Sequence, residues 1–489
     1  MMRRLIAAIV VLLTSNAAIA ANEEACTREG AMFSVSRGER QLFLDDYGIA
    51  RIENLKRTMH QPTKKGAVIR PDTGRNESLF QTRSAPCWDP DAQEFKFAVA
   101  ETGGPGIVTT IWQSRDGRNW RRQAVSDVGL YCVVYDPTDP DPSRRYKSLR
   151  HLGKGLVPMV SPDMVAWKTL DVPPIPSSDE FNLSFDDKCH LFIATPKMSG
   201  PHGRSVSLAT STDFTNWTNH GLIFHADDRD QELGRDNIKA RLANPRLCQP
   251  FHNDPDAYNV DVYNMGVFRY EGFYIGLPAM YHATGRIPNY PNTDGFHLIQ
   301  LACSRDLSAW QRPGNREAFI GPSLLGEGAY DLTQLIGPSS AVVRGDELWF
   351  YYTGIKYRAS WKYVGEYPHG EMVPLPGLDP DKGAICLAVL RRDGFISLDA
   401  SDTAGVVVTK PFEMSGRALF VNVDAPKGEL RVEVCGGDGK VLAASAPVAG
   451  DLPRALVKWK EGDLARLSGE TVSLRFSLRN ASLYSYWLE

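Results

Sequence analysis

The chain has 489 residues, of which 43% are hydrophobic, 23% charged and 10% aromatic, a globular composition that excludes a disordered or collagen-like polymer. Lys and Arg number 55 against 58 Asp and Glu, a net charge of −3 without a charged tail, which argues against an electrostatically driven nucleic-acid binder. Glycine (42) and proline (32) are both abundant, favouring tight turns and short strands over long helices.

The first element in chain order is not part of the fold. Arg3 and Arg4 precede an apolar run over 5–13 and the small-residue site Ala18, Ile19, Ala20, the pattern of a secretory signal peptide over residues 1–20. The run is too short to span a bilayer and no second run of spanning length follows, so the reading is an exported chain, secreted or periplasmic, without a membrane anchor. Eight cysteines over this length do not make a disulfide scaffold, and none shows C-x-x-C spacing, so no structural metal is expected. Cys132, inside the strand-like run 130–135, reads as a buried free thiol. A strand at 41–45 is expected to close a ring beside its last member.

From residue 77 the dominant signal is a repeat. S-x-D-x-x-x-W occurs at 114–120, 161–167, 211–217 and 304–310, with starts 47, 50 and 93 residues apart; a charged insert around 227–256 widens the last gap, and RRDGF at 391–395 is a weaker echo. A period of about 45 to 50 residues with β-rich content is the signature of a β-propeller. Ser and Asp cap a turn, and Trp120, Trp167, Trp217 and Trp310 are expected to be buried plugs between neighbouring sheets. Each motif closes a set of short strand-like runs: 95–99 and 107–112; 130–136, 146–151 and 156–160; 181–186, 190–194 and 205–209; 260–270, 273–277 and 296–303. A last set, 339–343, 348–352 and 384–390, follows without the motif. From 395 the runs 417–425, 429–435, 456–459 and 472–478 alternate without a motif and fit a β-sandwich. The expected fold is all-β, a five-bladed β-propeller over 21–394 followed by a β-sandwich over 395–489.

This order of elements, with FLDD at 43–46, YDPTDPDPSRRYK at 135–147, YEGFYIG at 270–276 and RDGFISL at 392–398, resembles the glycoside hydrolase family 32 and 43 superfamily, and within it a bacterial family 32-like group. The resemblance covers nearly the whole mature chain. It implies a glycosidase acting on a poly- or oligosaccharide. It aligns Glu77 with a pocket glutamate of the first blade, Asp179 with an aspartate of the third and Asp261 with a pocket acid of the fourth. The fructosidase motifs W-x-N-D-P-N-G, R-D-P and E-C have no counterpart beyond NDP at 253–255, so fructose specificity is not implied.

Propeller geometry brings one end of every inner strand to a central funnel. The carboxylates beginning those strands are Glu77, Asp127, Asp179 with Glu180, Asp261, and Asp331 preceded by Glu327. Glycoside hydrolysis takes two carboxyl groups in different protonation states. Asp179 and Asp261 are the expected pair, with acid and base or nucleophile unassigned, and Glu77 orients substrate or tunes a neighbour. Asp127, Glu327 and Asp331 are candidate substrate contacts. Arg83 is placed to hold a sugar hydroxyl or an acidic group, or to form a surface ion pair. Tyr263 and His282 either contact substrate or are buried and hydrogen-bonded. Trp361, in the long 356–382 loop, either stacks on a sugar or packs within a lid. The acidic runs 136–141 and 227–230 lack EF-hand spacing and read as solvated turns, so neither metal nor cofactor is expected. Two alternatives stand beside hydrolysis: a phosphorolytic enzyme, which needs a basic phosphate site, and a non-catalytic carbohydrate-binding propeller, in which Arg or Lys ties up each carboxylate. The sequence sets no oligomeric state.

Overall fold

The computed structural model describes residues 33–75, 77–102, 106–153, 155–326 and 328–489. The signal peptide, and Glu327 among the candidate site residues, lie outside them. The described chain is almost entirely β-structure, and most strands between 79 and 391 fall on the alternating and apolar runs.

Between residues 79 and 391 the chain folds as successive antiparallel meanders. The first runs from Leu79–Gln81 through Glu94–Thr102 and Val108–Ser114 to Arg121–Ser126, and the second from Val133–Tyr135 through Tyr146–Leu152 and Gly155–Ser161 to Lys168–Thr169. Phe181–Asp186, Leu191–Gly200, Gly203–Ser211 and Thr218–Phe224 make the third; Asn259–Tyr270, Phe273–Arg286 and Thr293–Ile299 with Ala302–Ser304 make the fourth. In the last, Gln334–Ile336 and Val342–Arg344 pair with Glu347–Ile355, which pairs with Gly383–Arg391. Its outer strand is Thr63–Ile69, antiparallel to Gly383–Arg391. This corrects the expectation for 41–45, since Gln41–Leu42 pairs instead with the C-terminal strand Ala481–Leu488. TKKGAVI at 63–69 is half exposed and carries a weak apolar pattern, which hid it.

The first strands of the meanders meet at a common centre. The Arg83 amide donates to the Tyr131 carbonyl (2.6 Å), Ser184 Oγ donates to the Val267 carbonyl (2.5 Å), and the Ser339 amide donates to the Arg83 carbonyl (2.8 Å). Cys132 is a buried free thiol here, its Sγ 3.2 Å from the Leu183 carbonyl. Gly266 permits the contact between the fourth and fifth meanders, because a Cβ there would lie 1.9 Å from the Pro338 carbonyl oxygen.

The repeated motif turns the chain from the third strand of a meander to its outer edge. Asp116 Oδ1 accepts from Ser114 Oγ (2.9 Å) and from the Arg118 and Asn119 amides (2.8 Å each), and Asp163, Asp213 and Asp306 repeat the arrangement. The fourth motif residue has positive φ each time, at Gly117 (73°), Met164 (67°), Phe214 (60°) and Leu307 (68°). Where that residue has a side chain it is buried, so it, and not the tryptophan, is the plug. The four tryptophans are half-buried over it, a correction to the expected full burial. Trp120 still touches Tyr351 of the last meander, and Trp310 touches Phe224 of the third.

The insert after the third meander contains a helix, Asp228–Ala243, that the charged composition concealed. Asp227 caps it and Asp230 returns the bond to the Asp227 amide, a capping box that places 227–230 at a helix start instead of in solvated turns. Gln231 bonds both the amide (2.9 Å) and the carbonyl (2.7 Å) of Val260, fixing the strand that carries Asp261. The other acidic run, 136–141, wraps a protein cation: the buried Lys147 Nζ lies 3.0 Å from Asp136 and 2.8 Å from Asp139.

The C-terminal strands form one large sheet around Leu419–Gly436, and it also takes in Ile49–Glu53 and Lys56–Met59. Its apolar face is continuous with the core of the fourth and fifth meanders, through residues such as Leu277, Phe350, Phe395, Val421 and Tyr486.

Candidate functional site

The first strand of the third meander begins at Phe181, and strand alternation separates the two acids just before it. Asp179 is 62% exposed and bonds Lys197 Nζ (3.1 Å). Glu180 points inward: Oε2 accepts from Arg83 Nε (3.1 Å) and also from Arg83 Nη2, and Oε1 accepts from the Tyr263 hydroxyl (2.6 Å). Burial works against its charge, but Arg83, Lys197 and the two hydrogen-bonding partners outweigh it and lower its pKa to about 2. Arg83, 1% exposed, stacks on Tyr131 at 4.6 Å. A cavity of about 330 Å³ opens here, with Arg83, Tyr131, Arg150, His151, Asp179 and Glu180 in its wall.

Two residues before Tyr263, across a break in strand register at 262–264, Asp261 is 5% exposed. Its Oδ2 accepts from Arg204 Nε (2.8 Å), while its buried Oδ1 has no protein partner. Desolvation outweighs Arg204 here and raises the Asp261 pKa above 3.8. Gly203 makes the close approach possible, since a Cβ on it would sit 3.1 Å from Oδ2 at a φ of 113°. Lys197 lies over the Tyr263 ring (4.3 Å), and His297, fully buried and held neutral by burial, packs tilted against it at 4.5 Å with Nε2 unpartnered.

The structure thus joins Arg83, Asp179, Asp261 and Tyr263 of the sequence-derived set through shared partners. The others lie elsewhere. Glu77 is held by Arg122 (2.5 Å), which also holds Glu101. Asp331 is buried against Lys64 of the closing strand (2.7 Å) and the Tyr352 hydroxyl (2.8 Å). Asp127 is exposed. His282 is buried, stacked on Phe296 and bonded to Asn237, with its pKa lowered to about 4 by burial, so its role is the hydrogen-bonded structural one. Trp361 packs edge-on against Tyr290 at 4.8 Å in the hairpin Trp361–Val364 and Glu371–Pro374. Sequence reading missed Lys197, Arg204, His297 and Arg358. The first three sit on second or third strands, and Arg358 lies among the aromatic residues that drew attention to its loop.

No family model matches the chain, and no curated protein matches it. Among solved structures it is similar to glycoside hydrolases of families 32, 43 and 62. The family 43 arabinoxylan arabinofuranohydrolase of Bacillus subtilis is 8% identical over 86% of this chain and 99% of that one, at a TM-score of 0.35. The family 32 β-fructofuranosidase of Bombyx mori is 10% identical over 87% and 93%, at 0.36. The catalytic domain of a family 62 α-L-arabinofuranosidase of Coprinopsis cinerea is 13% identical over 68% and 97%, at 0.41.

Proposed function

We propose that the protein is an exported glycoside hydrolase, a five-bladed β-propeller with a C-terminal β-sandwich, that cleaves glycosidic bonds in a poly- or oligosaccharide by carboxyl acid–base chemistry. The observation that carries this reading is geometric: Glu180 accepts from Tyr263 (2.6 Å), while Asp261, two residues before Tyr263, bonds Arg204 (2.8 Å) and keeps a buried Oδ1 without a protein partner. Burial raises the Asp261 pKa, and Arg83 with its neighbours outweighs burial to lower that of Glu180 to about 2. Such divergence is how one site supplies a proton donor and an ionised partner together. Asp261 protonates the leaving oxygen through the side chain whose Oδ1 is unpartnered. Glu180, or Asp179 at the cavity wall, serves as the base or nucleophile, and Tyr263 and Arg83 orient Glu180.

The non-catalytic carbohydrate-binding reading has its own support, because Glu77, Asp179, Glu180, Asp261 and Asp331 each pair with Arg or Lys. Product analysis on a glycan panel separates the two. Hydrolysis predicts turnover that falls by about a hundredfold or more in Asp261→Asn, and in one of Glu180→Gln or Asp179→Asn, with the fold intact. Binding without turnover across the panel would favour the second reading, and normal turnover in all three variants would remove these residues from the chemistry.

A further inference from the structure

Arg204 and Arg358 approach one aromatic ring from different segments, their guanidinium carbons 4.6 and 5.5 Å from the centre of Tyr281. Arg204 spends Nε on Asp261, and among the described residues no protein acceptor bonds its two terminal nitrogens. Arg358 reaches the same place from the start of the 356–382 loop. Among the described residues no carboxylate forms an ion pair with it, and its buried Nε has no partner. The acids nearby are committed: Asp179 to Lys197, Glu180 to Arg83, Asp261 to Arg204, and Asp294 to the amides of Phe251 (2.6 Å), His252 (3.1 Å) and Gly295 (2.8 Å). With those three carboxylates ion-paired and Asp294 bonded to chain amides, Arg358 is left without a directly bonded carboxylate among the described residues. A half-buried guanidinium with no directly bonded carboxylate is well placed to take one from a ligand.

We propose that Arg358 and Arg204 form an oxyanion site beside Asp261 and that the substrate brings a negatively charged group to it. Planar guanidinium forks match an oxyanion in charge and in hydrogen-bond geometry. Two sources carry that chemistry: the carboxylate of an acidic sugar unit in the glycan, and free inorganic phosphate acting in place of water. The assignment of the cleft to sugars rests on the proposed function; the oxyanion site itself rests on the two arginines alone.

The test is calorimetric titration of the intact protein at pH 7 with D-glucuronate, D-galacturonate, inorganic phosphate and the neutral sugars D-glucose and D-galactose. At least one charged probe is expected to bind about tenfold or more tightly than the neutral sugars. Arg358→Gln should weaken that probe by about tenfold or more, with Arg358→Lys intermediate, because lysine keeps the charge and loses the fork. Preference for a uronate supports the acidic-glycan source, and preference for phosphate supports phosphorolysis. Equal binding of charged and neutral probes, no binding of any charged probe, or unchanged affinity in a folded Arg358→Gln overturns the proposal. If Arg358→Gln does not fold, Arg358→Lys and Arg204→Lys take its place under the same criteria. Anion binding without turnover on neutral or acidic glycans would count against hydrolysis and leave the oxyanion site standing.

Discussion

Adjacent residues meet opposite environments at 179 and 180. Asp179 remains with solvent and Lys197, while Glu180 is folded in against Arg83 and Tyr263. Charge burial also sets how the protein responds to acid. His282 titrates near 4 in the fold against an ordinary 6.5, and Glu180 near 2 against 4.5. Both folded values are depressed, so both contributions are complete above the ordinary value and are lost as pH falls toward the folded one. Stability should therefore begin to fall below about pH 6.5 as the unfolded chain takes up the protons of His282 and the likewise buried His297, and fall further below about pH 4.5 through Glu180. Urea midpoints measured from pH 7 to 3 test this; a midpoint that stays level from pH 7 to 4.5 would contradict a buried neutral His282. The carboxylates at strand starts were legible because a turn before an inner strand is a local pattern. Which of two neighbours faces inward was not, since it depends on where Phe181 enters its sheet. Arg204, Lys197 and Arg358 left no local mark, because their significance comes from residues far away in sequence.

At the scale of elements, the S-x-D-x-x-x-W turns were readable because Ser, Asp and the chain amides satisfy one another within a few residues. The plugging role of the fourth residue was hidden by its variety, Gly117, Met164, Phe214 and Leu307, and only its shared positive φ unites it. The 356–382 loop shows a related limit. Its aromatic content signalled a functional segment, yet Trp361, Tyr363 and Tyr367 gather around Tyr290 while Arg358 makes the contact with Tyr281. Trp361→Ala is accordingly expected to cost about 1 to 2 kcal/mol of stability through the lost ring contact and partial burial. Denaturant titration beside ligand titration checks this: weakened sugar binding at unchanged stability would instead make Trp361 a sugar platform.

Across the whole molecule, the faint fifth copy of the repeat proves to be a junction. Asp393, fully buried, accepts from Arg40 (2.5 Å), Tyr270 (2.6 Å), Ser485 (2.6 Å) and Asn422 (3.2 Å), tying the N-terminal segment, the fourth meander and the C-terminal sheet together. Asp393→Asn keeps the shape but takes from the buried Arg40 the carboxylate it directly bonds, so a loss of about 3 to 5 kcal/mol is expected in urea unfolding followed by tryptophan fluorescence. A loss under about 1 kcal/mol, the range of a surface ion pair, would refute that role. The closing strand Thr63–Ile69 carries a consequence for how the protein comes into being. Its partner, Gly383–Arg391, is synthesised only after the four earlier meanders. Until then Thr63–Ile69 waits without its partner while those meanders are made. Closure of so distant a contact is slow because the entropy of a long loop must be overcome before any pairing rewards it. An unfinished chain therefore lacks not one missing piece but the clasp itself, and its exposed strand edges invite pairing with other chains during that interval.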